Sequence, residues 1–478
     1  MYDVIIVGCG ITGAAAAFTL SRYKLSVLVL EKENDIAMGA SRANSAIIHA
    51  GYDPEPGTLM ARLNVRGCEM AAELCAQLDV PYKNCGSLVL AFDDNDVKTI
   101  RALYERGVQN GVKRLELIDS RRLRELEPCV SDKAVAALYA PTSGIVNPWE
   151  YALAMAEVAA LNGVEFLLSH PVTSITGQLG GFTVTSCGEQ FNARYVVNAA
   201  GVDSAAVHEM VAEKAFTIKP SRGDYFLLDK SEGSRAKHTL FQCPGPAGKG
   251  VLVSPTVHGN LLAGPNAVSC LDAHRVNTTA EGLAFVKTHA LKSVPGINFR
   301  DTIRSFAGMR ANSDRNDFII GFPVPGFLDL AGIKSPGLTC APATGEYAAG
   351  LLEQHGLELV KKDSPVTTRR KIRFKELSIP EKQRLISENP LYGRVICRCE
   401  TITEGEIVEA CHSPIPPVSV DGIKRRAGTG MGRCQGGFCG PRVLEILCRE
   451  RGISPLEALK DGEGSVILFN ETKAGGRA

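Results

Sequence analysis

Tyr2-Asp-Val-Ile-Ile-Val-Gly8-Cys9-Gly10-Ile11-Thr12-Gly13 is the stretch that decides the fold. Residues 2 to 7 read as a buried strand, and the alanine-rich run Ala14 to Leu20 that follows the glycines reads as a helix. A second strand, Ser26 to Leu30, ends at Glu31, which completes a strand-turn-helix-strand unit closed by an acid. In such a unit Gly8 permits the tight turn, Gly10 lets the backbone approach a pyrophosphate, and Gly13 lets the helix pack closely on the strand. The helix N-terminus then meets the phosphate charge. Glu31 follows Gly13 by 18 residues, where a carboxylate accepts from both ribose hydroxyls and repels a 2′-phosphate. Gly8, Gly10, Ile11, Thr12, Gly13, Glu31 and Lys32 are therefore candidate dinucleotide contacts, and the unit predicts a Rossmann-like α/β fold. The fingerprint alone does not separate FAD from NAD.

Outward from this unit, 478 residues with 45% hydrophobic content are enough for two or three domains with sizeable cores. A formal net charge of +1 and an aromatic content of 6% give no general electrostatic case for nucleic acid or an anionic membrane surface. The opening strand leaves no room for a secretion signal. No apolar run reaches the roughly 18 residues needed to span a bilayer. Fifteen cysteines without an export signal read as reduced thiols plus metal ligands. The expectation is a cytoplasmic protein that would reach a membrane only through a partner.

Short strands rich in valine, leucine and phenylalanine are expected at Ser87 to Phe92, Tyr225 to Leu228, Val251 to Pro255, Asn260 to Gly264 and Phe318 to Gly321, with His258-Gly259 as a hairpin tip. They predict an antiparallel substrate domain, mainly 80–140 and 215–325, inserted into the nucleotide-binding one. Helical periodicity marks Thr58 to Leu78, Asp94 to Gly111 and Pro148 to Gly163. A charged, proline-punctuated stretch at 361–390 reads as a linker between a first domain at 1–360 and a small helical unit at 391–455, with a tail at 456–478.

That unit contains Cys397-x-Cys399 and Cys434-x-x-x-x-Cys439, separated by the 34 residues 400–433. Two close thiolate pairs are what an iron–sulfur cluster or a structural metal needs. Five glycines in the eleven residues from Gly430 to Gly440 let the backbone wrap closely and aim N–H groups at sulfur. Arg398, Lys424, Arg425, Arg426 and Arg433 add positive charge to the same segment. Zinc is the alternative, although its paired ligands are usually two to four residues apart.

Cys-Arg-Cys-Glu at 397–400 and the Gly-Met-Gly-Arg-Cys-Gln-Gly run resemble the bacterioferritin-associated-ferredoxin-like 2Fe–2S domain over about residues 393–450. That resemblance implies a 2Fe–2S cluster on Cys397, Cys399, Cys434 and Cys439. Two further stretches are similar to the D-amino-acid-oxidase-like flavoprotein superfamily. One is Tyr-Val-Val-Asn-Ala-Ala-Gly-Val-Asp-Ser at 195–204. The other is 329–345, with Gly332-Ile-Lys-Ser335-Pro-Gly337-Leu-Thr339. They imply FAD, with Ser41, Asn44, Ser45, Val172, Ala200, Gly201, Gly308, Gly332, Gly337, Leu338 and Thr339 as further cofactor contacts. The helix start near Gly337 to Thr339 would face the pyrimidine end of the isoalloxazine.

The segment Ser45 to Leu63, with His49-Ala-Gly-Tyr and Pro56-Gly-Thr-Leu, resembles FAD-linked glycerol-3-phosphate oxidases and dehydrogenases and the related 2-hydroxyglutarate oxidases. The wording is that of the shorter oxidase branch rather than of the anaerobic dehydrogenase subunits. The resemblance implies His49 as the base that takes a hydroxyl proton while hydride passes to flavin. It also implies Arg310 as the clamp on the substrate's anionic end, which suits phosphate and carboxylate equally. His258 and Ser335 are candidates for the pocket rim. The expected activity is oxidation of sn-glycerol 3-phosphate to dihydroxyacetone phosphate, with electrons passing through the cluster to a second flavin or electron-acceptor subunit. The alternatives are oxidation of a 2-hydroxy acid or a secondary amine, and an electron-transfer or redox-sensing subunit without a substrate of its own.

Overall fold

The strand Tyr2–Val7 sits in the middle of an eight-stranded mixed sheet. It runs parallel to Glu189–Asn198 on one side and to Val27–Leu30 on the other, and Glu165–Leu167 continues the parallel set. Alternate residues serve opposite faces. Val4, Ile6, Val27 and Val29 pack on the helices Ile11–Leu20, Pro148–Leu161 and Gly337–Gln354, whereas Ile5, Val7, Leu28 and Leu30 pack on a layer built around Phe182, Val184, Val207 and Phe327. Burial on both faces is why these strands read as unbroken apolar runs. The computed structural model describes residues 1–245 and 250–472. The last six residues of the expected tail, 473–478, lie outside the described residues.

A second, nine-stranded sheet is antiparallel except where Thr239–Gln242 runs parallel to Ser87–Ala91. Its strands fall within 87–140 and 221–310, the two pieces expected for the substrate domain. Ser221–Leu228 is flanked there by Leu261–Gly264, Val268–Ser269 and Thr302–Arg310. The strand expected at Phe318 to Gly321 differs in its sheet. Ile319–Val324 folds back in a tight hairpin on Phe327–Ala331, and Phe327–Ala331 pairs with Glu189–Asn198, so both belong to the nucleotide sheet.

The expected linker is tied down along its length. Arg369, Lys371 and Arg373 occupy alternate positions of an extended chain and therefore face the same way. They meet the buried carboxylates Glu150 and Glu157 on helix Pro148–Leu161, with Arg369–Glu157 at 2.6 Å and Lys371–Glu150 and Arg373–Glu150 at 3.1 Å. A helix, Ile379–Glu388, follows behind a Ser378/Glu381 capping box. The C-terminal unit is a two-stranded ladder, Val395–Cys397 with Ile402–Thr403, and three helices, Glu404–Cys411, Val420–Ala427 and Gly440–Arg451, around its own core of Ile407, Ile423, Val443 and Leu447.

Candidate active site

A cavity of about 1360 Å³ opens between the two large sheets. Its floor is the turn after Tyr2–Val7. Gly8 has φ +96°, and a Cβ there would lie 2.7 Å from the carbonyl oxygen of Ala199, so only glycine fits. Gly10, Ile11 and Thr12 line the cavity, and the Ile11 N–H is held by Ser41 Oγ at 2.8 Å. Gly13 faces away, where its backbone closes on Gly8. Glu31 lines the far end and accepts from the backbone N–H groups of Cys9 (2.5 Å) and Glu33 (3.0 Å). Burial pushes its carboxyl up against the opposing pull of those donors. Lys32 is paired with Asp203 at 2.8 Å. Ser41, Asn44, Ser45, Val172, Ala200, Gly201, Gly308, Gly337 and Leu338 complete this half of the wall.

Besides Gly13, two further expected cofactor contacts lie behind the wall. Gly332 packs against Ser313 and Ile319. Thr339 is 1% exposed, and its hydroxyl accepts from the His49 N–H at 2.9 Å and donates to the Ile47 carbonyl at 3.3 Å. Thr339 thus positions His49 from outside the cavity. Asn64 Nδ2 fixes the same residue by donating to the His49 carbonyl at 2.7 Å. The His49 ring lines the cavity beside Phe241, with ring centroids 5.8 Å apart.

Arg310 ends the strand Thr302–Arg310 and reaches the same cavity. Its Nη2 donates to the Asn266 carbonyl at 3.2 Å, while the buried Nη1 has no acceptor among the described residues. The neighbouring strand makes room for the guanidinium, because a Cβ at Gly223 would lie 2.8 Å from Nη2. Ser335 lines the rim, and so does Lys334, which the sequence reading passed over within the quoted Gly332-to-Thr339 loop. Tyr225 was also passed over as a mere strand residue; it stacks on Phe306 and lies 3.2 Å from Ser45 Oγ.

His258 is not at this rim. The hairpin between Leu252–Pro255 and Leu261–Gly264 carries it to the start of helix Pro148–Leu161, where Nε2 lies 3.2 Å from Asn147 Nδ2. Burial there pushes its imidazole below the ordinary range. It does not line the cavity.

The cluster thiols stand in two pairs. Cys399 Sγ is 3.6 Å from Cys434 Sγ, close to the edge of a tetrahedron with ~2.3 Å metal–sulfur bonds. Cys397 and Cys439 share a hydrogen bond. That bond, with N–H groups from Gly430 and Glu400, outweighs burial and holds the Cys397 thiol down to about 6. The Phe438 N–H lowers Cys434 in the same way. Gly430, Gln435 and Gly436 all have positive φ, which turns successive N–H groups inward. Among the described residues no three metal-ligating side chains converge on one point. Two pairs suit a two-iron cluster, in which each iron takes two thiolates, better than a single ion. Arg425 and Arg426, expected beside the cluster, point away from it toward the nucleotide unit.

The family described as FAD dependent oxidoreductase matches residues 3–351. The chain belongs to that family. In this oxidoreductase the BFD-like [2Fe-2S] binding domain matches residues 395–449. A glycerol 3-phosphate dehydrogenase of Caloramator mitchellensis is 48% identical over 477 residues, covering 99% of each chain. The solved structure of dithionite-reduced L-alpha-glycerophosphate oxidase from Mycoplasma pneumoniae with FAD bound superposes with a TM-score of 0.74. It is 31% identical and covers 78% of this chain and 99% of that one. The mitochondrial L-2-hydroxyglutarate dehydrogenase of Homo sapiens is 34% identical over 284 residues, 56% of this chain and 61% of that one.

The cofactors of the oxidoreductase are FAD and a 2Fe–2S cluster. The residues present fit both. The glycine turn and helix start, the buried Glu31 and the long cavity suit a dinucleotide. The N–H-rich loop around two thiol pairs, each with one thiol held down, suits a cluster that binds thiolate.

Proposed function

We propose that this protein oxidises sn-glycerol 3-phosphate to dihydroxyacetone phosphate and passes the electrons to a separate acceptor subunit. The observation that carries the reading is the cavity-lining Arg310, whose buried Nη1 lacks an acceptor among the described residues, in a chain similar over 99% of its length to a glycerol 3-phosphate dehydrogenase. A buried guanidinium nitrogen without a partner is costly and selects an anionic ligand. Lys334 on the same wall adds a second positive charge, which suits a phosphate dianion.

His49 would accept the proton of the secondary hydroxyl as the adjacent C–H bond gives up hydride and the C=O bond forms. Its backbone is fixed by Thr339 and Asn64 and its ring by Phe241, so the imidazole is oriented before substrate arrives. FAD, when bound, supplies the hydride acceptor, and the cluster carries single electrons onward. Cys399 and Cys434 are exposed and Cys397 and Cys439 buried, which gives the cluster one edge open to a partner. Among the described residues no helix is long and apolar enough to cross a membrane. Attachment to a membrane would run through that acceptor.

Turnover with an artificial electron acceptor across glycerol 3-phosphate, 2-hydroxyglutarate, proline and sarcosine tests the reading. Activity with glycerol 3-phosphate at least tenfold above the others in kcat/KM supports it. Preference for 2-hydroxyglutarate would move the chain to the 2-hydroxy-acid reading, which the human relative favours.

A further inference from the structure

Residues 31 to 46 connect the second nucleotide strand to the short strand Ile47–Ile48 without regular secondary structure. Glu33, Met38, Gly39, Ala40, Ser41 and Arg42 line the cavity. Beyond Glu31, the segment is anchored to the glycine turn at two points. The Ala37 N–H donates to the Cys9 carbonyl at 2.9 Å, and Ser41 Oγ accepts from the Ile11 N–H. Its remaining fixed side-chain contacts come largely from the other end of the chain.

Asp35 is 1% exposed and receives both guanidinium groups of the helix Val420–Ala427. Arg426 grips it with a two-pronged fork, Nη1 to Oδ2 at 2.9 Å and Nη2 to Oδ1 at 2.8 Å, and Arg425 Nε reaches Oδ2 at 3.0 Å. Both arginines are themselves buried. Asp461, just beyond the cluster domain, bridges Arg425 (2.7 Å) to Arg42 (2.5 Å), and its carbonyl accepts from Asn34 Nδ2 at 2.8 Å. Burial alone would push the Asp35 carboxyl up; Arg426 and then Arg425 outweigh it and hold it down at about 2. On separation Arg426 would keep the Ile415 and Gly422 carbonyls and Arg425 would keep Asp461, but Asp35 would lose every guanidinium it holds, so the contact opposes undocking at the 33–42 segment. The fork geometry fixes orientation as well as attraction.

We propose that the docked cluster domain is part of the flavin site: Arg425, Arg426 and Asp461 are positioning residues that hold the 33–42 wall against the FAD, so that FAD retention and cluster retention are thermodynamically coupled. Coupling between two sites is reciprocal. FAD then binds less tightly when the clamp is broken, and the cluster leaves more readily when FAD is absent.

The test uses anaerobically purified full-length holoprotein and the variants Arg426→Ala and Asp461→Ala. FAD dissociation is read by flavin fluorescence on dilution, and cluster content by iron analysis and visible absorption. The clamp predicts FAD binding weakened by about 5- to 150-fold, the usual range of such couplings. It also predicts faster iron loss to a chelator from wild-type protein stripped of FAD. Lys230→Ala breaks a contact between the cluster domain and the substrate sheet, the Lys230–Glu400 pair at 2.9 Å, and should leave FAD affinity unchanged. FAD affinity in Asp461→Ala within twofold of wild type, or chelation at one rate with and without FAD, overturns the proposal. If Arg426→Ala does not fold, Asp461→Ala decides alone, because that carboxylate is a quarter exposed and its loss is mild.

Discussion

Replacing Arg310 with Ala removes the only guanidinium that combines a position in the cavity wall with a buried, unpaired nitrogen among the described residues. The structural cost is small, since the one hydrogen bond the side chain makes among the described residues is the 3.2 Å contact from Nη2 to the Asn266 carbonyl. Each charge-assisted hydrogen bond to an anion contributes about 1.5–3 kcal/mol. Two from the fork, discounted for a half-buried site, come to about 3 kcal/mol, or about a hundredfold in kcat/KM. Arg310→Lys keeps the charge and loses the fork, so about one bond and about a tenfold loss remain. The assay is steady-state turnover with glycerol 3-phosphate and an artificial acceptor, alongside flavin content to show that the site is otherwise intact. Because the phosphate is held in both ground and transition states, the loss should fall mainly on KM. A change in kcat/KM smaller than about threefold for Arg310→Ala, with FAD bound, would refute the assignment of Arg310 as the anion clamp.

Three further outcomes follow from the same geometry. His49→Ala should lower kcat by about 10²–10⁴-fold while FAD stays bound, which absorbance and turnover together would check. In Gly308→Ala the new Cβ would fall 1.8 Å from the Ala43 carbonyl oxygen, on the backbone of the cavity wall. Relieving that overlap costs about 2 kcal/mol or more, and FAD affinity measured by fluorescence should fall at least about tenfold. Burial lowers the Lys424 ammonium to about 8 in the folded protein, below the 10.5 of an exposed lysine. The unfolded chain then binds more protons between those values, so stability should rise with pH from about 8 to 10.5, by at most about 3 kcal/mol. Denaturant unfolding of Lys424→Met should show a flatter pH profile over that window.

The nucleotide unit was legible because each signal in it is local. The turn at Gly8 admits only one residue type, and the strand and helix on either side carry continuous apolar runs. The loop at 332–339 and the small residues at 199–201 were legible by resemblance, and most of the named residues do line the cavity. What failed was information that only tertiary contact supplies. Apolar content marks Phe318 to Gly321 as a strand but does not say which sheet takes it, and the short hairpin to Phe327 decides that. His258 is a lone histidine at a hairpin tip, and nothing local tells which way the tip points. Thr339 lies in the loop the resemblance marked, and one helical residue determines whether its hydroxyl meets the cavity or, as here, the chain behind it. The run Lys424-Arg425-Arg426 read as charge near the cluster, whereas Asp35, some 390 residues away in sequence, fixes where it points. The charged stretch at 361–390 looked like a loose linker for the same reason: its acceptors, Glu150 and Glu157, sit on a helix whose sequence pattern gives no hint of them.

Anaerobic titration of the purified holoprotein with sn-glycerol 3-phosphate, followed by its visible spectrum, tests the central claim most directly. Bleaching of the flavin bands by glycerol 3-phosphate, with a separate change in the cluster bands and no bleaching by 2-hydroxyglutarate or proline, is the predicted result. An unbleached flavin at saturating glycerol 3-phosphate would contradict it.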